Sequence, residues 1–106
     1  MKKVKITVVK RCFNEDLAKE YANPALGKCQ KLEEGQVFYA AWKKPEGFCD
    51  EAWKAIHHYV MLLSHGGTRF FNGRWMKADN MCIASCNDGI RPTIFKIEAL
   101  DEEMDE

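Results

Sequence analysis

The first apolar positions in the chain recur every second residue: Val4, Ile6 and Val8 alternate with Lys3, Lys5 and Thr7. Successive strand side chains leave opposite faces, so this period predicts a half-buried β-strand. Its lysines suggest a charged edge strand. A short helix is expected next, with Asn14 as N-cap, Glu15 and Asp16 in the first turn, and Leu17 to Tyr21 as its body. Asn23-Pro24 and Gly27 stop it. After Gly35, Val37, Tyr39 and Ala41 face one way and Phe38, Ala40 and Trp42 the other. A strand apolar on both faces is expected to be central in its sheet or at a subunit contact.

The period then changes. Ala52, Trp53, Ile56, Tyr59, Val60 and Leu63 form one stripe at helical spacing, predicting a long helix from about Cys49 to His65. Phe48 and Trp53 flank Cys49 as a hydrophobic staple flanks an N-cap. Asp50 and Glu51 suit the first turn, and Gly66-Gly67 suits a left-handed stop. Residues 67–79 read as a loop rich in aromatics, with Phe70, Phe71 and Trp75. Met81 to Cys86 and Thr93 to Leu100 read as a strand pair joined through Asn87-Asp88-Gly89. Pro92 has no N–H for a ladder, so the last strand should begin at an edge or a bulge. The order β-α-β-α-β-β predicts an α+β fold, a single domain over residues 1–100 with one long helix across a small sheet. Residues 101–106 are expected to be an acidic C-terminal tail.

A chain of 106 residues supports one core. Sixteen basic side chains balance sixteen acidic ones, which argues against a general nucleic-acid binder. The balance is uneven along the chain. Lys2, Lys3, Lys5, Lys10 and Arg11 open it, while Asp101, Glu102, Glu103, Asp105 and Glu106 close it. The acidic end is expected to be a solvating tail, the alternative being that it docks on the basic first strand, within or between subunits. No apolar run approaches the ~20 residues of a membrane span. Met1-Lys2-Lys3-Val4-Lys5 also lacks the apolar stretch of a signal peptide. A cytoplasmic location with reduced thiols and no membrane partner is therefore expected.

Five cysteines need an account in such a compartment. None sits in a C-x-x-C pair, so zinc ribbons, ferredoxin-type clusters and thioredoxin-type redox pairs lose their usual signature. Cys82 and Cys86 share one strand, where four residues span roughly 13 Å. That exceeds the ~7 Å a disulfide tolerates between Cα atoms. Cys49 at the start of the long helix occupies a setting that favours thiolates. Cys49, Trp53 and His57 recur along one side of that helix, each step a rise of about 6 Å. His57 is thus too far to be a direct base for Cys49, although both can border one cavity. Cys86 lies at a strand end and Cys29 in a loop, where functional groups are common. Cys12 and Cys82 read as packing residues. His57 and His58 point about 100° apart, and His65 suits the free carbonyls of a helix end.

Pro45-Glu46-Gly47-Phe48-Cys49-Asp50 and Cys86-Asn87-Asp88-Gly89-Ile90-Arg91-Pro92, with Lys28-Cys29 and Glu34-Gly35-Gln36, carry a resemblance. In these stretches the chain resembles a family of functionally uncharacterised prokaryotic proteins of about a hundred residues. The resemblance runs from about Lys3 to Ala99, and Cys-x-Asp-Gly-x-Arg-Pro is its most specific part. It implies that Cys29, Cys49 and Cys86 are recurring cysteine positions, with Cys12 and Cys82 particular to this chain. Arg69 to Arg74 departs from the shorter Gly-rich loop the family places before its tryptophan, so nothing carries over to Trp75. The family brings no activity with it.

Three functions compete. In the first, Cys29, Cys49 and Cys86 converge at one rim. They would act as thiolate ligands to a transition metal, zinc or iron, with His57, water or substrate in the fourth position. Alternatively one of them, Cys49, acts as a nucleophile or redox thiol, with Asp88 and Arg91 orienting or balancing charge. The second is a small-molecule-binding module or enzyme whose pocket is lined by Trp42, Phe48, Trp53 and Trp75, with Cys49 and Arg91 as polar handles. The third is a structural, homo-oligomeric domain in which the cysteines only fill the core. Ser64 and Ser85 lack a nucleophile elbow, and Gly66-Gly67-Thr68 is better explained as a helix stop than as a phosphate loop.

Overall fold

The computed structural model describes residues 1–106. Strand β1 (Lys2–Arg11) forms over the alternating segment and buries Val4, Ile6 and Val8 to 1% exposure or less. Then follow α1 (Glu15–Tyr21), β2 (Val37–Ala40), α2 (Asp50–Ser64), a 3-10 turn (Phe70–Gly73), β3 (Met81–Ser85) and β4 (Thr93–Glu103). The strands make one antiparallel sheet in the order β2-β1-β4-β3. The chain is thus a compact α+β domain, and α2 packs across the sheet on β1, β3 and β4. Ala52, Ile56, Val60 and Leu63 of α2 meet Ile6, Val8, Phe95 and Ile97 in the core. Each of these side chains except the small Ala52 contributes about 1.5–3 kcal/mol by leaving water. Helix α1 buries no residue. No helix is long and apolar enough to cross a membrane.

Three expectations change. The first strand is central, paired with β2 on one side and β4 on the other. Its lysines are tolerated there because α2 covers only one face of the sheet, and the other face is open to water. The second strand, expected to be central or at a subunit contact, is not central but an edge strand. Val37 and Tyr39 stay 39% and 44% exposed, while Phe38 and Ala40 supply the buried face. The Lys3 ammonium lies 5.3 Å from the centre of the Tyr39 ring, covering part of that outer surface.

The acidic end is the third change. Strand β4 continues through Glu103, with Lys2 opposite Glu103 in the β1–β4 register. Lys2 pairs with Asp101 at 3.8 Å and Lys3 with Glu102 at 3.6 Å. The acidic segment therefore lies along the basic first strand of its own chain. Beyond it, the Glu106 carboxylate accepts the backbone N–H groups of Ala41, Trp42 and Lys43 at 2.7–2.8 Å. Those three amides turn toward Glu106 just where β2 ends.

Candidate functional site

The hairpin after β3 is organised by Asp88. Its Oδ1 accepts the N–H groups of Ile90 and Arg91 at 2.9 and 3.1 Å, and its Oδ2 accepts Arg91 Nε at 2.9 Å. Burial works against the Asp88 charge, but these amides and the guanidinium outweigh it and hold the carboxyl below its usual range. The loop is then tied down from outside. Asn14 donates its N–H to the Ile90 carbonyl and its side-chain amide to that of Gly89, both at 2.7 Å. Asn14 makes no side-chain cap on α1, so its expected capping role gives way to holding this hairpin. Asn87 Nδ2 reaches the Glu51 carbonyl at 3.3 Å and joins the hairpin to the first turn of α2.

Each candidate cysteine reaches the same place from a different segment. Cys86 follows β3, and its Sγ accepts the Thr93 N–H at 3.3 Å. Cys29 lies in the irregular stretch between α1 and β2, its carbonyl held by Arg11 Nη1 at 3.1 Å. Gly47, at φ +81°, turns the chain into α2, which puts Cys49 at the N-cap position in extended conformation. Its thiol makes no capping hydrogen bond, although its carbonyl accepts the Trp53 N–H at 2.9 Å.

The three cysteines line one open cleft of about 270 Å³, bounded also by Lys31, Glu51, Asn87, Asp88 and Arg91. A smaller hollow of about 20 Å³ reaches inward from the same cysteines toward Leu32, Ala52 and Phe95. The convergence follows from topology: β3 and β4 bring the hairpin beside the start of α2, and Arg11 draws the Cys29 loop over both. Arg91 keeps its charge more firmly than usual, first because it donates to Asp88, which outweighs the opposing cost of burial. Its guanidinium lines the same cleft as the three cysteines.

Other candidates lie elsewhere. His57 Nε2 is 2.9 Å from the Trp42 carbonyl, and its ring stacks on Trp53 at 4.8 Å. Two helical turns, about 12 Å, separate it from Cys49, so it takes no part in lining the cleft. No group of three or more His, Cys, Asp or Glu side chains is placed to hold a metal ion. Cys82 is fully buried, and burial pushes its thiol up to about 12. The aromatics expected to share a pocket are dispersed and line none of the cavities. Phe48 is 3% exposed and packs edge-on against Phe38 and Trp53. Trp75 joins Tyr59, Phe70 and Phe71 instead, and Trp42 lies under the Lys43 ammonium. Apolar rings at strand and helix spacing found one another rather than a ligand.

Sequence reasoning missed three lining residues, Glu51, Asn87 and Lys31, reading the first two only as helix-start and turn residues and Lys31 not at all. The only signal for Lys31 is a place two residues beyond Cys29, in a segment whose path is set by long-range contacts. No family model matches the chain, and no curated protein or solved structure matches it.

Proposed function

We propose that the cleft is a nucleophilic thiol site that binds a small molecule and bonds to it through sulfur. The observation that carries this reading is the meeting of Cys29, Cys49 and Cys86 on one cleft beside the Arg91 guanidinium. Reactive thiols need a positive electrostatic surrounding and access from solvent. Cys86 has the best-supported setting, since an amide N–H donates to its sulfur at 3.3 Å and Arg91 lines the same cleft. Cys49, the nucleophile expected from the sequence, keeps the next place at the uncapped start of α2, and Cys29 flanks both. Asp88 is a positioning residue that holds Arg91. In the reaction the sulfur forms a bond to an electrophilic carbon, the leaving group departs with its electron pair, and the thiol proton passes to water. A zinc or iron site is less well supported, because His57 is engaged with Trp42 and the sulfurs do not form a ligand set.

The test is site-resolved alkylation by iodoacetamide, followed by mass spectrometry on the folded chain and on the chain unfolded in urea. Cys86 is expected to react several-fold faster folded than unfolded, with Cys82 protected. If Cys29, Cys49 and Cys86 all react no faster than in urea, the reading fails. A parallel zinc titration of the reduced protein that gave tight one-to-one binding, lost when Cys29, Cys49 or Cys86 becomes serine, would return the site to a metal.

A further inference from the structure

Charge in the cleft is lopsided once its pairings are counted. Asp88 accepts three donors from its own hairpin, so its carboxylate is committed to Ile90 and Arg91. Glu51 pairs with Lys54 at 3.0 Å on the exposed flank of α2. The cations are less engaged. Arg91 uses Nε for Asp88, and its two terminal nitrogens make no hydrogen bond within the chain. Lys31 is exposed and makes neither an ion pair nor a hydrogen bond, its charge acting only at longer range on Asp50. Beside them the first turn of α2 carries no side-chain cap from Cys49, although Asp50 and Glu51 in that turn offset the positive helix end. The acids along this wall thus each have a partner, whereas Lys31 and the terminal nitrogens of Arg91 have none.

Resting on the thiol-site reading, we infer that the cleft selects small anionic electrophiles: compact molecules carrying a carboxylate or similar oxyanion next to the carbon that sulfur attacks. Lys31 and the terminal nitrogens of Arg91 hold the oxyanion, and the thiol beneath meets the adjacent carbon. A cleft of about 270 Å³ suits a molecule of a few heavy atoms. Its inner hollow, bounded by Leu32, Ala52 and Phe95, takes an apolar end. In the reaction the S–C bond forms as the carbon–leaving-group bond breaks. The leaving group carries off the electron pair and the thiol proton goes to water, so no oxidant or further reactant enters.

Iodoacetate and iodoacetamide test this directly, since they deliver nearly the same electrophilic carbon with and without a negative charge. The quantity read is the iodoacetate-to-iodoacetamide rate ratio at Cys86, divided by the same ratio in the urea-unfolded chain. A favourable local field should raise that quotient roughly tenfold at low ionic strength. It should fall toward one in 1 M salt, where the screening length is about 3 Å. Lys31→Gln should cut the quotient severalfold, and Lys31→Glu should take it below one; the exposure of Lys31 keeps both variants folded. Arg91→Lys, which retains a charge, should keep more of the preference than Arg91→Gln. A fast Cys86 whose quotient stays at or below one overturns the inference and leaves the thiol site standing. Slow reaction of Cys29, Cys49 and Cys86 alike with both reagents sinks the two readings together.

Discussion

Cys82 and Cys86 lie at opposite ends of one short segment, yet their surroundings divide them. Cys82 faces α2 with no exposed surface, and burial pushes its thiol up to about 12. Its sulfur is a packing atom. Cys82→Ser places a hydroxyl in the same apolar site and should lower stability by about 1–3 kcal/mol, read from urea unfolding. Cys86, just past the strand, instead receives an amide hydrogen bond and borders the cleft. Alternation puts both on one face of β3, so it does not anticipate the difference, which arises because Cys86 stands past the end of the strand. The partners of Cys86 were not legible, because Thr93 and Arg91 reach it only across the hairpin. Cys49 adds a further contrast: the N-cap position prefers Ser, Thr, Asp or Asn, and a cysteine there leaves the first turn unsatisfied. Cys49→Ser should therefore stabilise the fold by about 0.5–1 kcal/mol, seen as a higher melting temperature, even as it removes a thiol. A lower melting temperature would show that the sulfur packs rather than waits.

At the scale of elements, α2 is the best-specified piece, and its end is written in two glycines. Gly66 adopts φ +85° and donates to the Leu63 carbonyl at 3.1 Å, while Gly67 donates to the Leu62 carbonyl at 2.8 Å. Those paired bonds are a Schellman stop. Gly66→Ala should cost about 1 kcal/mol through its left-handed backbone alone. Gly67→Ala should cost more, since an added Cβ would lie 2.5 Å from Leu62 Cγ. Comparing the two in thermal unfolding separates backbone strain from collision. Strands were less legible than this helix. Period two reveals which side chains share a face, and β1 and β2 obey it in burying Val4, Ile6, Phe38 and Ala40. It does not reveal how many neighbours a strand has. Hence β1 and β2 exchanged their expected central and edge places.

Across the whole molecule, the acidic end closes onto the body of the fold. Burial of Glu106 opposes its charge, but the amides of Lys43, Trp42 and Ala41 together with the Lys43 charge hold its carboxyl below the usual range. A carboxyl lowered on folding adds stability that is complete above its unfolded pKa of about 4.3 and disappears as pH falls through the lower folded value. Asp88 follows the same sign from its unfolded value of about 3.9. The urea midpoint should therefore drop on acidification below about pH 5. Glu106→Gln should flatten part of that drop and lower neutral-pH stability by about 1 kcal/mol. An unchanged acid profile in Glu106→Gln would mean that the three-amide clamp contributes nothing in solution.

The sequence by itself determined the α+β class, the extent of α2, the inward faces of the strands and the cysteines worth testing. Those properties follow from local periodicity and from single residues whose chemistry travels with them. Only the tertiary structure decided the strand order, the closure of the acidic end on β1 and the company of each thiol. Pairing across a sheet and the path of a loop depend on contacts between distant segments, and no local pattern encodes them. The same topology that removed His57 and the four aromatics from the site brought Lys31 into it.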